Sequence, residues 1–170
     1  CDANRQQGCD DKPFLEEMVR AGAFDFADCP GIHYNEGILP PSATSGDPRG
    51  NSTHYTRYYS SMVDTYWKAT SAKKPLCFTE LGYLTGEGYP DLTKTAPTFS
   101  WASKTTVAQQ AQWLAEAVTL ARDSGKVKLL IVFNVDFVTY DSDPQAGYAI
   151  IRKDGLCPAC DTLGKVMVVK

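Results

Sequence analysis

Three short apolar runs, CPGIHY (29–34), PLCFT (75–79) and VKLLIVFN (127–134), each follow a segment whose apolar residues recur at helical spacing. Strands separated by helices of ten or more residues need crossover connections, which make neighbouring strands parallel and lay the helices against the sheet. The first helix is expected from Asp11 to Gly22, with Pro13 in its first turn and Phe14, Leu15, Met18 and Val19 along one face. A second, from Thr53 to about Ala69, carries Tyr55, Tyr59, Met62, Val63 and Tyr66 on the face expected to pack on the sheet. A third runs from Thr105 to Ser124, with Val107, Ala111, Leu114, Val118 and Ala121 inward and Gly125 as its stop. The near-unbroken VKLLIVFN reads as a strand buried on both faces. After it come a hairpin around Tyr148 to Leu156, turning at Lys153-Asp154-Gly155, and a terminal helical segment. The expected class is α/β, in a single domain over residues 1–170.

Three long segments follow the three strands: Asn35 to Asn51, Leu81 to Lys104, and the stretch from Asp136. In a parallel sheet all three emerge at the same end, and long loops confined to one end mark where such a fold keeps its chemistry. The second strand delivers Thr79-Glu80-Leu81-Gly82 to that end. A carboxylate at the carboxyl end of a β/α strand faces the mouth of the sheet, so Glu80 is the first candidate for a catalytic group. Its structural alternative is a loop-capping or ion-paired carboxylate.

Composition narrows the partners. With 17 basic and 20 acidic residues the net charge is −3, and no Lys or Arg stripe offers a surface for a phosphate backbone, which argues against nucleic acid. No apolar run approaches the roughly 18 residues needed to span a bilayer, so no membrane partner is expected. The first twenty residues are polar where a signal peptide would be apolar, and the chain reads as processed or cut from something longer. Among six cysteines, Cys1 and Cys9 flank a polar loop that a disulfide could close, and Cys29 and Cys77 read as buried thiols. Cys157-Pro158-Ala159-Cys160 reads as a local disulfide or as free thiols, since no second such pair and no nearby histidine would complete a zinc site. Neither metal nor cofactor is expected. Asn51-Ser52-Thr53 is a glycosylation sequon, compatible with an extracellular protein.

In their order along the chain, four motifs resemble the closing portion of the retaining glycosidases built on an eightfold β/α barrel, the clan of cellulases, β-glucanases and β-xylosidases. Ile32-His33-Tyr34 resembles the sixth strand, which presents an aromatic or histidine side chain to the active centre. Lys74 to Gly82 resembles the seventh, whose terminal glutamate is the nucleophile. Val132-Phe133-Asn134 resembles the eighth, with Phe133 or Phe137 where a tryptophan is usual, and Ala149 to Gly155 resembles the phrase that follows it. The resemblance, from about Asp11 to Leu163, implies a partial TIM barrel comprising about strands 6 to 8 with their helices; 170 residues fall short of the roughly 200–250 of a full barrel.

It also implies a two-carboxylate retaining mechanism with Glu80 as nucleophile. The clan's acid/base glutamate follows an asparagine at the end of the fourth strand, and on this resemblance the sequence is expected to begin beyond that strand. The Asn35-Glu36 pair sits elsewhere, so Glu36 is an acid/base candidate by proximity alone, with a solvated loop charge as its alternative. Glu87, Asp136 and Asp141 have weaker claims still. Substrate contacts are expected from His33, Tyr34, Tyr83, Trp101 and Asn134, although Trp101 serves equally well as a pin for its own loop. Two function classes follow: hydrolysis of β-glycosidic bonds, or a non-catalytic carbohydrate-binding half-barrel. Either exposes sheet edge and barrel interior, so self-association or a missing amino-terminal half is the expected partner, besides carbohydrate.

Overall fold

The computed structural model describes residues 10–167; the expected Cys1–Cys9 loop lies outside them. Helix α1 (Asp11–Arg20) stops before Gly22, which takes a φ of +77° that only glycine adopts without strain. Leu15 is its buried anchor, while Phe14 and Met18 stay exposed. Strand β1 (Gly31–Tyr34) begins only after Pro30, which has no amide to give a ladder.

Helix α2 (Tyr59–Ala69) starts later than its periodicity suggests because Tyr58 is extended, its hydroxyl donating to the Ser52 carbonyl and accepting from the Asp47 amide. Its buried face is Tyr59, Met62, Val63, Tyr66 and Ala69. Strand β2 (Leu76–Leu81) runs past the expected end, so Glu80 lies within it rather than after it. The following loop is partly ordered into the short α3 (Leu92–Thr95) and a 3-10 turn at Pro97–Ala102. Helix α4 (Val107–Ser124) is capped reciprocally by Thr106 and Gln109 and closed by Gly125 at φ +64°. Strand β3 (Val127–Val132) and helix α5 (Pro158–Val166) follow among the described residues.

The sheet is parallel throughout, in the order β1-β2-β3, with Ile32 opposite Phe78, His33 opposite Glu80 and Phe78 opposite Leu130. Leu76, Phe78 and Leu81 form one core with Tyr59 and Met62 of α2 and Trp113 and Leu114 of α4. Three parallel strands with their helices on one face constitute an α/β partial barrel. Among the described residues no helix is long and apolar enough to cross a membrane.

Three expectations need correction. β3 is not buried on both faces: Leu129 is 45% and Ile131 47% exposed, because every second residue faces the side that no helix covers. No hairpin forms at residues 148–156; the Ile150 and Ile151 amides donate back to the Asn134 and Val135 carbonyls, and the turn at Gly155 closes on Arg152. Cys29 and Cys77 are not thiols but a disulfide, made possible by a Cα separation of 5.7 Å where β1 starts alongside β2. Cys157 and Cys160 form the second, local bridge.

The Cys29–Cys77 bridge spans 48 residues and the Cys157–Cys160 bridge 3. A double Cys29→Ser/Cys77→Ser variant is expected to lose roughly 2–4 kcal/mol of unfolding free energy in urea melts, and the corresponding variant at 157 and 160 clearly less.

Candidate active site

Phe78 stacks on Tyr59 at a centroid distance of 5.2 Å and so faces the helices. The ladder to β1 then slips by one residue, and Glu80 pairs with His33 rather than with a residue of the helix-facing set. The carboxylate consequently lies on the open face, at the carboxyl end of the middle strand, with a third of its side chain exposed. Two neighbours on β1 and just beyond it converge on one of its oxygens. Asn35 Nδ2 donates to Glu80 Oε2 at 2.8 Å, and His33 Nδ1 lies 3.5 Å from the same atom. Asn35 is itself held from the third strand's loop, its carbonyl accepting from the Tyr148 hydroxyl at 2.9 Å. Its Oδ1 is buried without a hydrogen-bond partner among the described residues.

Gly82 is required by this closeness. A Cβ there would stand 2.2 Å from the Phe133 carbonyl oxygen and 2.9 Å from the Tyr148 ring. The Phe133 amide donates to the Leu81 carbonyl at 2.8 Å, and the Phe133–Asn134 peptide is cis. Asn134 is buried and bound at both ends of its amide, donating to Gln145 and accepting from the Phe137 amide.

The remaining expected contacts divide. Tyr34 and Tyr83 are only 2% and 0% exposed, in edge-to-face contact at 5.8 Å within the core. Burial pushes both phenols well above their usual pKa, and Tyr34 donates to the Arg57 carbonyl. These two are therefore packing residues, not ligand contacts. Strand alternation carries the reason: Tyr34 lies between His33 and Asn35 and must face the other way. The same alternation sets Asn35 on the side of His33 and Glu80.

Trp101 is half-buried, with the Arg49 guanidinium 5.0 Å from its ring centre. Arg49 also donates to the Glu36 carbonyl at 2.8 Å and grips Asp47, whose side chain is wholly buried. Burial alone would raise the Asp47 pKa, but the Arg49 hydrogen bonds and charge hold its carboxyl below the usual range. Glu36 turns its carboxylate to Arg57 at 2.8 Å and is more than half exposed. It is joined to the Glu80 cluster through the backbone, not through its acid group. Among the described residues no group of three His, Cys, Asp or Glu side chains is placed to hold a metal ion.

No family model matches the chain, and no curated protein matches its sequence. Its structure is similar to that of a family 39 glycoside hydrolase from the gut symbiont Bacteroides cellulosilyticus WH2, with a TM-score of 0.51 at 19% sequence identity. The match covers 90% of this chain and 29% of the hydrolase chain, so the present chain spans less than a third of that protein's length. The likeness is one of fold: a glycoside-hydrolase-like α/β arrangement.

Two outcomes follow from the local geometry. Gly82→Ala is expected to cost roughly 1–3 kcal/mol in denaturant melts, because backbone must move to admit the methyl group. Asp47 is stabilising while ionised, and its folded pKa lies below the unfolded value of about 3.8. Its contribution is therefore complete above that pH and lost as pH falls through the depressed folded value. Tryptophan emission reporting on the Arg49–Trp101 contact is expected to show this step on acidification, and Asp47→Asn to remove it.

Proposed function

We propose that this chain is part of a retaining β-glycoside hydrolase in which Glu80 attacks the anomeric carbon. The observation that carries the reading is the setting of Glu80, a carboxylate on the open face at the carboxyl end of the central strand, oriented by the Asn35 amide. That end is where β/α folds perform chemistry. An oriented carboxylate with one oxygen tied to a fixed donor is preorganised for in-line attack, and the departing oxygen then needs a proton from a second carboxyl group about 5–5.5 Å away. His33 flanks the same oxygen, within reach of a bound sugar hydroxyl.

Glu36 is a poor source of that proton while paired with Arg57. The reading therefore assigns the acid/base group to strands that complete the barrel over Leu129 and Ile131, supplied by an amino-terminal portion or by another copy of the chain. The 29% coverage of the family 39 hydrolase supports such a completion. Two disulfides support an oxidising, extracellular setting. The Glu36–Arg57 pair also favours a second reading, a carbohydrate-binding half-barrel without turnover.

A 2-deoxy-2-fluoro aryl β-glycoside traps a covalent intermediate on the nucleophile of a retaining enzyme, and peptide mapping is expected to find the label on Glu80. Aryl β-glycoside hydrolysis is expected to fall at least about 10³-fold in Glu80→Gln. Hydrolysis that survives the substitution would remove Glu80 from the mechanism, and oligosaccharide binding with neither label nor turnover would favour the second reading. Sedimentation velocity is expected to find the chain associated, and Leu129→Lys/Ile131→Lys to shift it towards monomer.

A further inference from the structure

Beyond Glu80, the loops that follow β2 and β3 enclose a groove of about 750 Å³, whose lining includes Tyr89, Asp136, Phe137, Val138, Tyr140 and Lys153. Glu80 does not line it. The groove is supported from within. The Tyr89 and Tyr140 rings stack with centroids 4.3 Å apart and planes 11° from parallel. The Arg152 guanidinium lies 5.1 Å from the Tyr89 ring centre. Arg152 is 9% exposed and anchored by donation to the Ala149 and Glu87 carbonyls at 3.1 and 2.8 Å. The Tyr140 hydroxyl donates to the Pro90 carbonyl at 3.1 Å, tying one loop to the other. Rings fixed in this way do not fold into the hollow they border.

The rim is apolar and charged by turns. Phe137 is 54% and Val138 87% exposed, and Asp136 and Lys153 are exposed beside them. Asp136 and Lys153 stand in water at the rim, with Arg152 in the wall behind them, so the groove offers a ligand both a carboxylate acceptor and cationic donors. An uncharged polyhydroxylated ring suits both features: its C–H face covers an aromatic surface while its hydroxyls bond to a carboxylate and an ammonium group. The groove also lies at the end of the sheet where Glu80 stands. The Phe133 amide donates to the Leu81 carbonyl beside Glu80, and the amide of Phe137, four residues on at the rim, donates to the Asn134 side-chain oxygen.

We propose that this groove is a remote subsite that binds a pyranose ring of the β-linked chain whose scissile bond is held at Glu80. The assignment rests on the glycosidase reading and extends it to a substrate of several sugar units.

The test is calorimetric titration of the full 170-residue chain carrying Glu80→Gln with cello-, xylo- and laminari-hexaose and with the matching disaccharides. One hexaose is expected to bind, and Phe137→Ala and Lys153→Ala, both at exposed positions, are each expected to weaken it about five- to tenfold, with a smaller loss for the disaccharide. Equal losses for long and short sugars, or no loss, would overturn the subsite, as would the absence of hexaose binding. A Phe137→Ala variant that changes sedimentation and not sugar affinity would assign the groove to protein contact and likewise overturn it. Covalent labelling of Glu80 is independent of the groove, so failure of the subsite and failure of the glycosidase reading are told apart.

Discussion

Both crossovers of this sheet, α2 and α4, pack on the same side of β2, and that one-sidedness governs the molecule. Right-handed connections between strands added in the order β1-β2-β3 allow no other arrangement. The helix-facing residues Leu76, Phe78 and Leu81 become fully buried, each worth roughly 1.5–3 kcal/mol of removal from water. The opposite face keeps His33, Glu80, Leu129 and Ile131 in the open. A carboxylate survives there because it is neither desolvated by helices nor stranded without a donor. The same asymmetry that makes the core leaves room for a site.

The loops above the sheet are held by a few polar anchors rather than by their own packing. Gln110, 1% exposed on α4, donates to the Tyr83 carbonyl at 2.7 Å and to the Gly147 carbonyl at 3.1 Å. One side-chain amide therefore binds the loop after β2 to the loop after β3, and a helix on the buried side registers both. Arg49 does similar work for the loop after β1, meeting Asp47, Trp101 and the Glu36 carbonyl. The carbonyls that Gln110 satisfies are buried, and leaving such an acceptor unpaired costs about 1–3 kcal/mol.

Much of this was legible in the residues. The three strands, the helices α1 and α4, the Gly22 and Gly125 stops and the position of Glu80 at the carboxyl end of a parallel sheet all follow from periodicity and turn chemistry. The start of α2 did not, because Tyr58 is recruited by Ser52 and Asp47 through contacts that local spacing does not encode. The exposure of β3 is not legible, because VKLLIVFN looks the same whether one face is covered or two. Chemical type alone draws Tyr34 and Tyr83 towards the site, whereas alternation along the strand sends Tyr34 to the core. Asn35, by contrast, was within reach of that rule, two residues along from His33.

The Cys29–Cys77 bridge joins the amino-terminal ends of β1 and β2, opposite the end that carries the loops. Tension applied to the chain on either side of that bond would pass across it and leave the residues between Cys29 and Cys77 unloaded, β1 with them, while β2 beyond Cys77 stays in the path of the load. Mechanical failure would begin in the loaded segments, β2 beyond Cys77 among them with β3 and α5. His33 and Asn35 would thus keep their places on the shielded span while Glu80, beyond the bond, is drawn away from them.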